Sequence, residues 1–291
     1  MKEEVNKEER KSEERNKNHC PRKRFGQHFL NDFIVIEKII SSILPHKNDL
    51  MAEIGPGLGA LTKKLLPLLN KLHVIEIDRE IPEKLRENCK GKGGELIIHC
   101  EDVLQFNFSS LIEEEEKSRD NKLGNKIRVI GNLPYNISTP LLFYLFSNIS
   151  LFEDMHFMLQ KEVADRITAK AGASNYGRLS VMVQYYCQAE HLFIVSKEAF
   201  TPKPKVTSAV LRLKPYEVLP YKAKNKTNFE KIVKQAFMQR RKTLRNNLKE
   251  LISQEELAQL DIDFSMRPQQ IGVKEYVRIE NYLTEALAEG E

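Results

Sequence analysis

Four short apolar runs, each followed by a stretch of helical period, occupy the first half of this chain and leave few folds open to it. They are residues 49–55 (DLMAEIG), 72–77 (LHVIEI), 95–100 (ELIIHC) and 127–132 (IRVIGN). Phe33, Ile36, Ile40, Ile43 and Leu44 recur at helical spacing before the first run. Residues 60–69 read as a helix interrupted at Pro67, and 79–89 as another. A further helix starts at Pro140, a favoured first helical position, with Ser138 or Thr139 as its cap. Residues 155–160 and 207–213 are again strand-like. Strands alternating with helices predict βαβ units. The expected fold is therefore α/β, a doubly wound, Rossmann-like, mostly parallel sheet with helices on both faces. Such sheets bind ligands outside the carboxyl ends of their strands. The residues just beyond each run are thus the candidate site.

After the first run comes EIGPGLG, residues 53–59. Gly55 and Gly57 there permit a tight turn and close approach of a ligand to backbone. The spacing is G-x-G-x-G, which departs from the dinucleotide pattern G-x-G-x-x-G. Glu76 ends the second run, 21 residues after Gly55, where a carboxylate can accept both hydroxyls of a ribose. Glu101 and Asp102 come after the third run and can bond an adenine amino group. Asn132-Leu133-Pro134-Tyr135 comes after the fourth and has the form [N/D]-P-P-[Y/F], the tetrapeptide of enzymes that methylate exocyclic amino groups. The N6 lone pair of adenine is delocalised into the ring and is a poor nucleophile. An Asn132 side-chain oxygen and a Pro134 carbonyl could accept both amino hydrogens and turn the lone pair towards a methyl donor. Tyr135 could stack on the base, which must be unpaired or flipped to arrive. Together the four sites point to S-adenosylmethionine as donor and an amino group as acceptor, with no metal.

Charge adds a partner. The formal net charge is only +5, but residues 203–250 carry 14 Lys/Arg against 3 Asp/Glu. Such a block expects an anionic partner, and Arg240, Arg241, Lys242 and Arg245 are its candidate phosphate contacts. Strand signals stop near Pro215, so the expected domains are a sheet domain over 22–215 and a smaller helical RNA-binding domain over 216–291. Residues 1–21 belong to a charged, glutamate-rich tail expected to be disordered, and 113–126 reads as a surface insertion without apolar period. The tail's glutamates argue against organelle import. The four cysteines lack C-x-x-C spacing, which argues against a zinc knuckle or disulfide scaffold. No run approaches the length of a membrane span. The expectation is a cytoplasmic monomer with no membrane partner.

The chain resembles the bacterial small-subunit (16S) rRNA adenine N6,N6-dimethyltransferases, the KsgA/RsmA family. The blocks that carry the likeness are residues 23–31 (KRFGQHFLN), 53–59, 76–79 (EIDR), 131–139 (GNLPYNIST), 158–166 (MLQKEVADR), 176–187 (YGRLSVMVQYYC), 200–208 (FTPKPKVTS) and 236–246 (AFMQRRKTLRN). The resemblance implies a class I methyltransferase sheet. It implies donor contacts at His28, Leu30, Gly55, Gly57, Glu76, Asp102 and Asn132. It also implies a target clamp at Asn132, Pro134 and Tyr135, with Phe200 as a second aromatic wall. The implied substrate is a pair of adjacent adenosines in the 3′-terminal hairpin loop of 16S rRNA, in the assembling small subunit. Two other readings share these motifs: a large-subunit dimethyltransferase of the macrolide-resistance type, and a non-catalytic nucleic-acid-binding factor on the same fold.

Overall fold

A computed structural model describes residues 28–118, 126–134 and 137–289. The expected tail, residues 119–125 of the 113–126 run, Cys20 and Tyr135 lie outside the described residues. In chain order the elements begin with β1 (Phe29–Leu30), α1 (Phe33–Ile43), β2 (Leu50–Ile54), α2 (Thr62–Leu65), β3 (Lys71–Ile75), α3 (Ile81–Cys89) and β4 (Glu95–His99). Then come α4 (Ser109–Ser118), β5 (Ile127–Asn132), α5 (Ser138–Ser147), β6 (Phe152–Gln160), α6 (Lys161–Ile167), α7 (Arg178–Tyr186) and β7 (Cys187–Val195). β8 (Phe200–Thr201), β9 (Ser208–Pro215), α8 (Lys226–Ala236), α9 (Leu244–Leu248), α10 (Gln254–Gln259) and α11 (Val273–Glu289) complete it.

The seven-stranded sheet has the order β4-β3-β2-β5-β6-β9-β7. β4, β3, β2, β5 and β6 pair in parallel, so all five end at the same edge. The order steps outwards from β2 to β3 and β4, then returns to β5 on the other side. That reversal is a topological switch point, where such sheets open a crevice. The expected α/β class with a helical C-terminal region holds.

Arg128 braces the opposite edge. Its guanidinium grips the Asp154 carboxylate through Nε (3.0 Å) and Nη2 (2.7 Å), and Asp49 through Nη1 (2.6 Å). It also donates to the carbonyls of Ile43 and Leu44, the free C-terminal end of α1. The buried stripe of α1 is Ile36, Ile39, Ile40 and Ile43. Phe33 and Leu44, expected on that face, are 60% and 68% exposed. Leu44 has left the helix as its left-handed C-cap, at φ 50°.

Two local expectations change. The cap of α5 is Ile137, and Ser138 lies inside the helix with its hydroxyl donating to the Pro134 carbonyl. The 113–126 run does not begin as an unpatterned insertion. Residues up to Ser118 belong to α4, which buried Phe106, Phe108 and Leu111 anchor from its start. Glu115 turns inward and pairs with Lys71 at 2.9 Å. One ion pair replaces the apolar period that a sequence reading looks for.

The described residues form two compact units, one of those up to Lys161 with Leu192–Arg212, the other of Glu162–His191 with those from Leu213 onwards. The second unit therefore includes α6 and α7, which a single cut near Pro215 leaves with the sheet. Their side chains explain it. Tyr185 of α7 packs its ring 4.3 Å from that of Phe229 in α8, and its hydroxyl accepts the Ala223 N–H. Tyr186 donates to Glu230. Among the described residues, no helix is long and apolar enough to cross a membrane.

Candidate active site

Main-chain bonds continue the parallel ladder beyond the strand ends. The Gly55 N–H donates to Ile75 O and the Glu76 N–H to His99 O, both at 2.9 Å. The Leu133 N–H donates to Met158 O at 3.1 Å. These bonds hold Gly55, Glu76 and Asn132 along one edge, with Asp102 three residues beyond β4. Gly55, Gly57 and Gly59 all take left-handed φ, at 63°, 53° and 84°. Gly57 is required twice over. Its φ suits glycine, and a Cβ there would sit 3.0 Å from the Phe29 ring. The loop and β1 thus close on one another, and backbone is left bare at the edge.

Three acids lie in or just beyond these strands. Glu53, in β2, is 2% exposed, and its Oε2 accepts the Thr62 hydroxyl at 2.6 Å. Burial pushes its pKa up to about 7; the Thr62 bond opposes the rise and neighbouring Glu76 adds to it. Glu76 is buried, and this raises its pKa above the usual carboxylate range. Main-chain N–H groups of Asp78, Gly57 and Ile77 counter that effect, with Asp78 N to Glu76 Oε1 at 2.9 Å. The carboxylate is therefore held rigid before any ligand arrives. Asp102 is half-buried and accepts the Leu104 N–H at 3.0 Å, an Asx turn that fixes its direction.

Asn132 gains its orientation from a distant segment. Its Nδ2 donates to the His28 carbonyl at 3.1 Å. That occupies one amide hydrogen and leaves Oδ1 as the acceptor end. His28 is itself tethered, because its Nδ1 lies 2.7 Å from the Pro202 carbonyl. A carbonyl only accepts, so Nδ1 carries the hydrogen. β1 and β8 pair antiparallel, Phe29 with Thr201 and Leu30 with Phe200. Two blocks 170 residues apart are thereby brought to Asn132.

Two expected roles meet obstacles. The Pro134 carbonyl already accepts the Ile137 N–H (3.2 Å) and the Ser138 hydroxyl (3.0 Å). Both its lone pairs are engaged, so it would have to release a donor before taking an amino hydrogen. Phe200 is 3% exposed, packed in one core with Leu30, Ile130 and Met158. Its ring face is covered by packing, so a base could stack on it only after it is uncovered.

The family model of ribosomal RNA adenine dimethylases matches residues 18–285. The chain belongs to the ribosomal RNA adenine dimethylase family. Among curated relatives of this dimethylase-family chain, a ribosomal RNA small subunit methyltransferase A of Legionella pneumophila is 50% identical over 266 residues. That alignment covers 91% of this chain and 99% of the relative. A protein of the same name from Marinomonas is 48% identical over 265 residues, 91% of this chain and 96% of the other. Among solved structures, a dimethyladenosine transferase of Plasmodium falciparum superposes with a TM-score of 0.71. It is 26% identical and covers 90% of this chain and 98% of its own. A 23S rRNA methyltransferase, ErmE, shares the fold, with a TM-score of 0.66 at 21% identity, covering 88% and 99%.

In this dimethylase-family fold, Arg241, Lys242 and Arg245 are exposed around the start of α9. Arg240 differs from them. It is committed to carbonyls of its own chain. Two interactions were not expected from the motifs, the Glu53–Thr62 bond and the His28–Pro202 tether. An acid inside an otherwise apolar run (DLMAEIG) is a readable sign of the first; the second left no local sign.

Proposed function

We propose that this chain transfers methyl groups from S-adenosylmethionine to the N6 amino groups of two adjacent adenosines in the 3′-terminal hairpin loop of small-subunit rRNA. The observation that carries the reading is the Asn132 side chain at the end of β5, with its Nδ2 spent on the His28 carbonyl, so that Oδ1 is the end assigned to the amino group. Family membership and the names of the curated relatives support the substrate class.

The residues at the edge suit the donor. Glu76 offers a fixed carboxylate to a ribose, and Asp102 offers an oriented acceptor to an adenine amino group. The glycine loop offers bare main chain at the edge, with Gly57 packed against the Phe29 ring. His28 and Leu30, in β1 and the residue before it, are assigned the donor's remaining contacts. When bound, S-adenosylmethionine supplies a methyl group on a sulfonium, which departs as a neutral thioether. The chain's task is then to position and to dry the acceptor. Asn132 Oδ1 accepts one amino hydrogen and holds the nitrogen lone pair along the transfer line. Tyr135 is assigned the stacking face. The methylated nitrogen releases its surplus proton to solvent, so no strong base is needed.

The test is transfer of labelled methyl groups to unmethylated small subunits, with large-subunit RNA in parallel. Label that digests to N6,N6-dimethyladenosine in small-subunit rRNA alone is the expected result. Label confined to large-subunit RNA, or none despite donor and RNA binding, refutes the reading. Asn132→Ala should lower turnover on the order of 10²–10³-fold with an unchanged melting temperature.

A further inference from the structure

Sequence alone makes Arg240 one of four equivalent cations. The structure separates it from the others. Its Nη2 donates to the carbonyls of Ser174 (2.7 Å) and Tyr176 (3.0 Å), in the loop between α6 and α7. That loop is anchored elsewhere as well. The Gly172 N–H donates to Gln269 O at 2.7 Å, and Asn175 Nδ2 to Asp165 O at 2.8 Å. Tyr176 is buried, its ring 6.4 Å from that of Phe237.

Apart from Lys170, what the loop shows to solvent is small. Lys170, Ala171, Gly172 and Ser174 are exposed, and a Cβ at Gly172 would meet nothing within 4 Å. Bare main chain of this kind lets a phosphodiester backbone come close. Charge agrees with that occupant. Segments 168–178 and 238–249 contain seven Lys/Arg and no Asp or Glu. Arg241, Lys242 and Arg245 are exposed on the turn that Arg240 opens.

We infer that the 170–174 loop and the 241–245 turn form one surface for an RNA backbone, and that Arg240 is the strut joining them and not a phosphate ligand. This rests on the RNA-substrate reading above. A guanidinium that spends donors on two carbonyls keeps its charge but loses the freedom to follow a phosphate. It is a positioning residue: it sets the spacing at which Arg241 and the loop main chain meet the RNA.

The experiment measures binding of the full chain to unmethylated small subunits across a salt series, with amide hydrogen exchange of the free chain. Arg241→Met should reduce the slope of log affinity against log salt by roughly 0.7–0.9, with exchange unchanged. Arg240→Met should keep the wild-type slope, weaken binding about tenfold, and speed exchange at 172–176 about tenfold. Loss of slope with unchanged exchange in Arg240→Met would overturn the strut. Should that variant fail to fold, Arg240→Lys decides. A phosphate ligand would survive with wild-type affinity, whereas a strut shortened to one ammonium gives faster exchange and weaker binding. Ala171→Trp should cost about tenfold or more in subunit binding with donor affinity and exchange unchanged; wild-type binding removes the loop from the surface. If the wild-type chain itself does not bind subunits, it is the RNA reading that fails.

Discussion

Glu53→Gln should change how stability depends on pH, in a direction the structure dictates. The Glu53 carboxyl is 2% exposed, has the Thr62 hydroxyl as a donor, and faces the buried Glu76. Its pKa rises from an ordinary 4.5 to about 7 on folding. The folded chain therefore holds this proton more tightly than the unfolded chain does. The group contributes most at and below pH 4.5, and its contribution falls as pH rises towards 7. Full ionisation in the folded state costs roughly 3 kcal/mol, taking 1.36 kcal/mol per pKa unit. Glutamine is nearly isosteric, keeps an oxygen for Thr62, and does not titrate. Its amide hydrogens lack a partner there, a pH-independent cost of about 1–3 kcal/mol. That offset cancels when the difference between variant and wild type is compared at two pH values. Urea unfolding of both proteins at pH 5 and pH 8 should show the variant gaining about 2.5 kcal/mol on wild type over that span. Titrating groups that do not interact with Glu53 are shared and drop out. Superimposable pH profiles for the two proteins would refute the reasoning.

Acid should act in the opposite sense through His73. Burial and the neighbouring His99 depress its pKa to about 4, so stability is lost as pH falls from about 6.5 towards 4, and His73→Phe should flatten the acid limb of a melting-temperature profile. Arg128→Ala strands the carboxylates of Asp49 and Asp154 and should cost about 3–5 kcal/mol by denaturant unfolding. Gly57→Ala combines an unfavourable left-handed φ with a clash against the Phe29 ring. It should cost about 1–3 kcal/mol and weaken donor binding measured by calorimetry. Wild-type donor affinity in the Gly57→Ala variant would show that the loop does not border the donor.

The alternation of apolar runs with helical period, and the identity of the residues at the end of each run, were open to a sequence reading because they are local. Period 2 or 3.6, a glycine that admits left-handed φ, and an acid after a strand all arise within a few residues of one another. They determined the parallel sheet, the glycine loop and the places of Glu76, Asp102 and Asn132. What required the tertiary structure is of another kind. Pairing Leu30 with Phe200, and tying His28 to both Pro202 and Asn132, depends on partners about 100 to 170 residues away, which no periodicity encodes. The same holds for α7, whose apolar face looks alike whichever unit it joins; Tyr185 meeting Phe229 decides it. Burial then reassigns individual side chains. Phe200 becomes core, the Pro134 carbonyl is taken by its own turn, and Arg240, itself exposed, donates to carbonyls of its own chain. Sequence thus states which chemistry a residue can perform. Only the packed chain states which of those capacities its neighbours have already used.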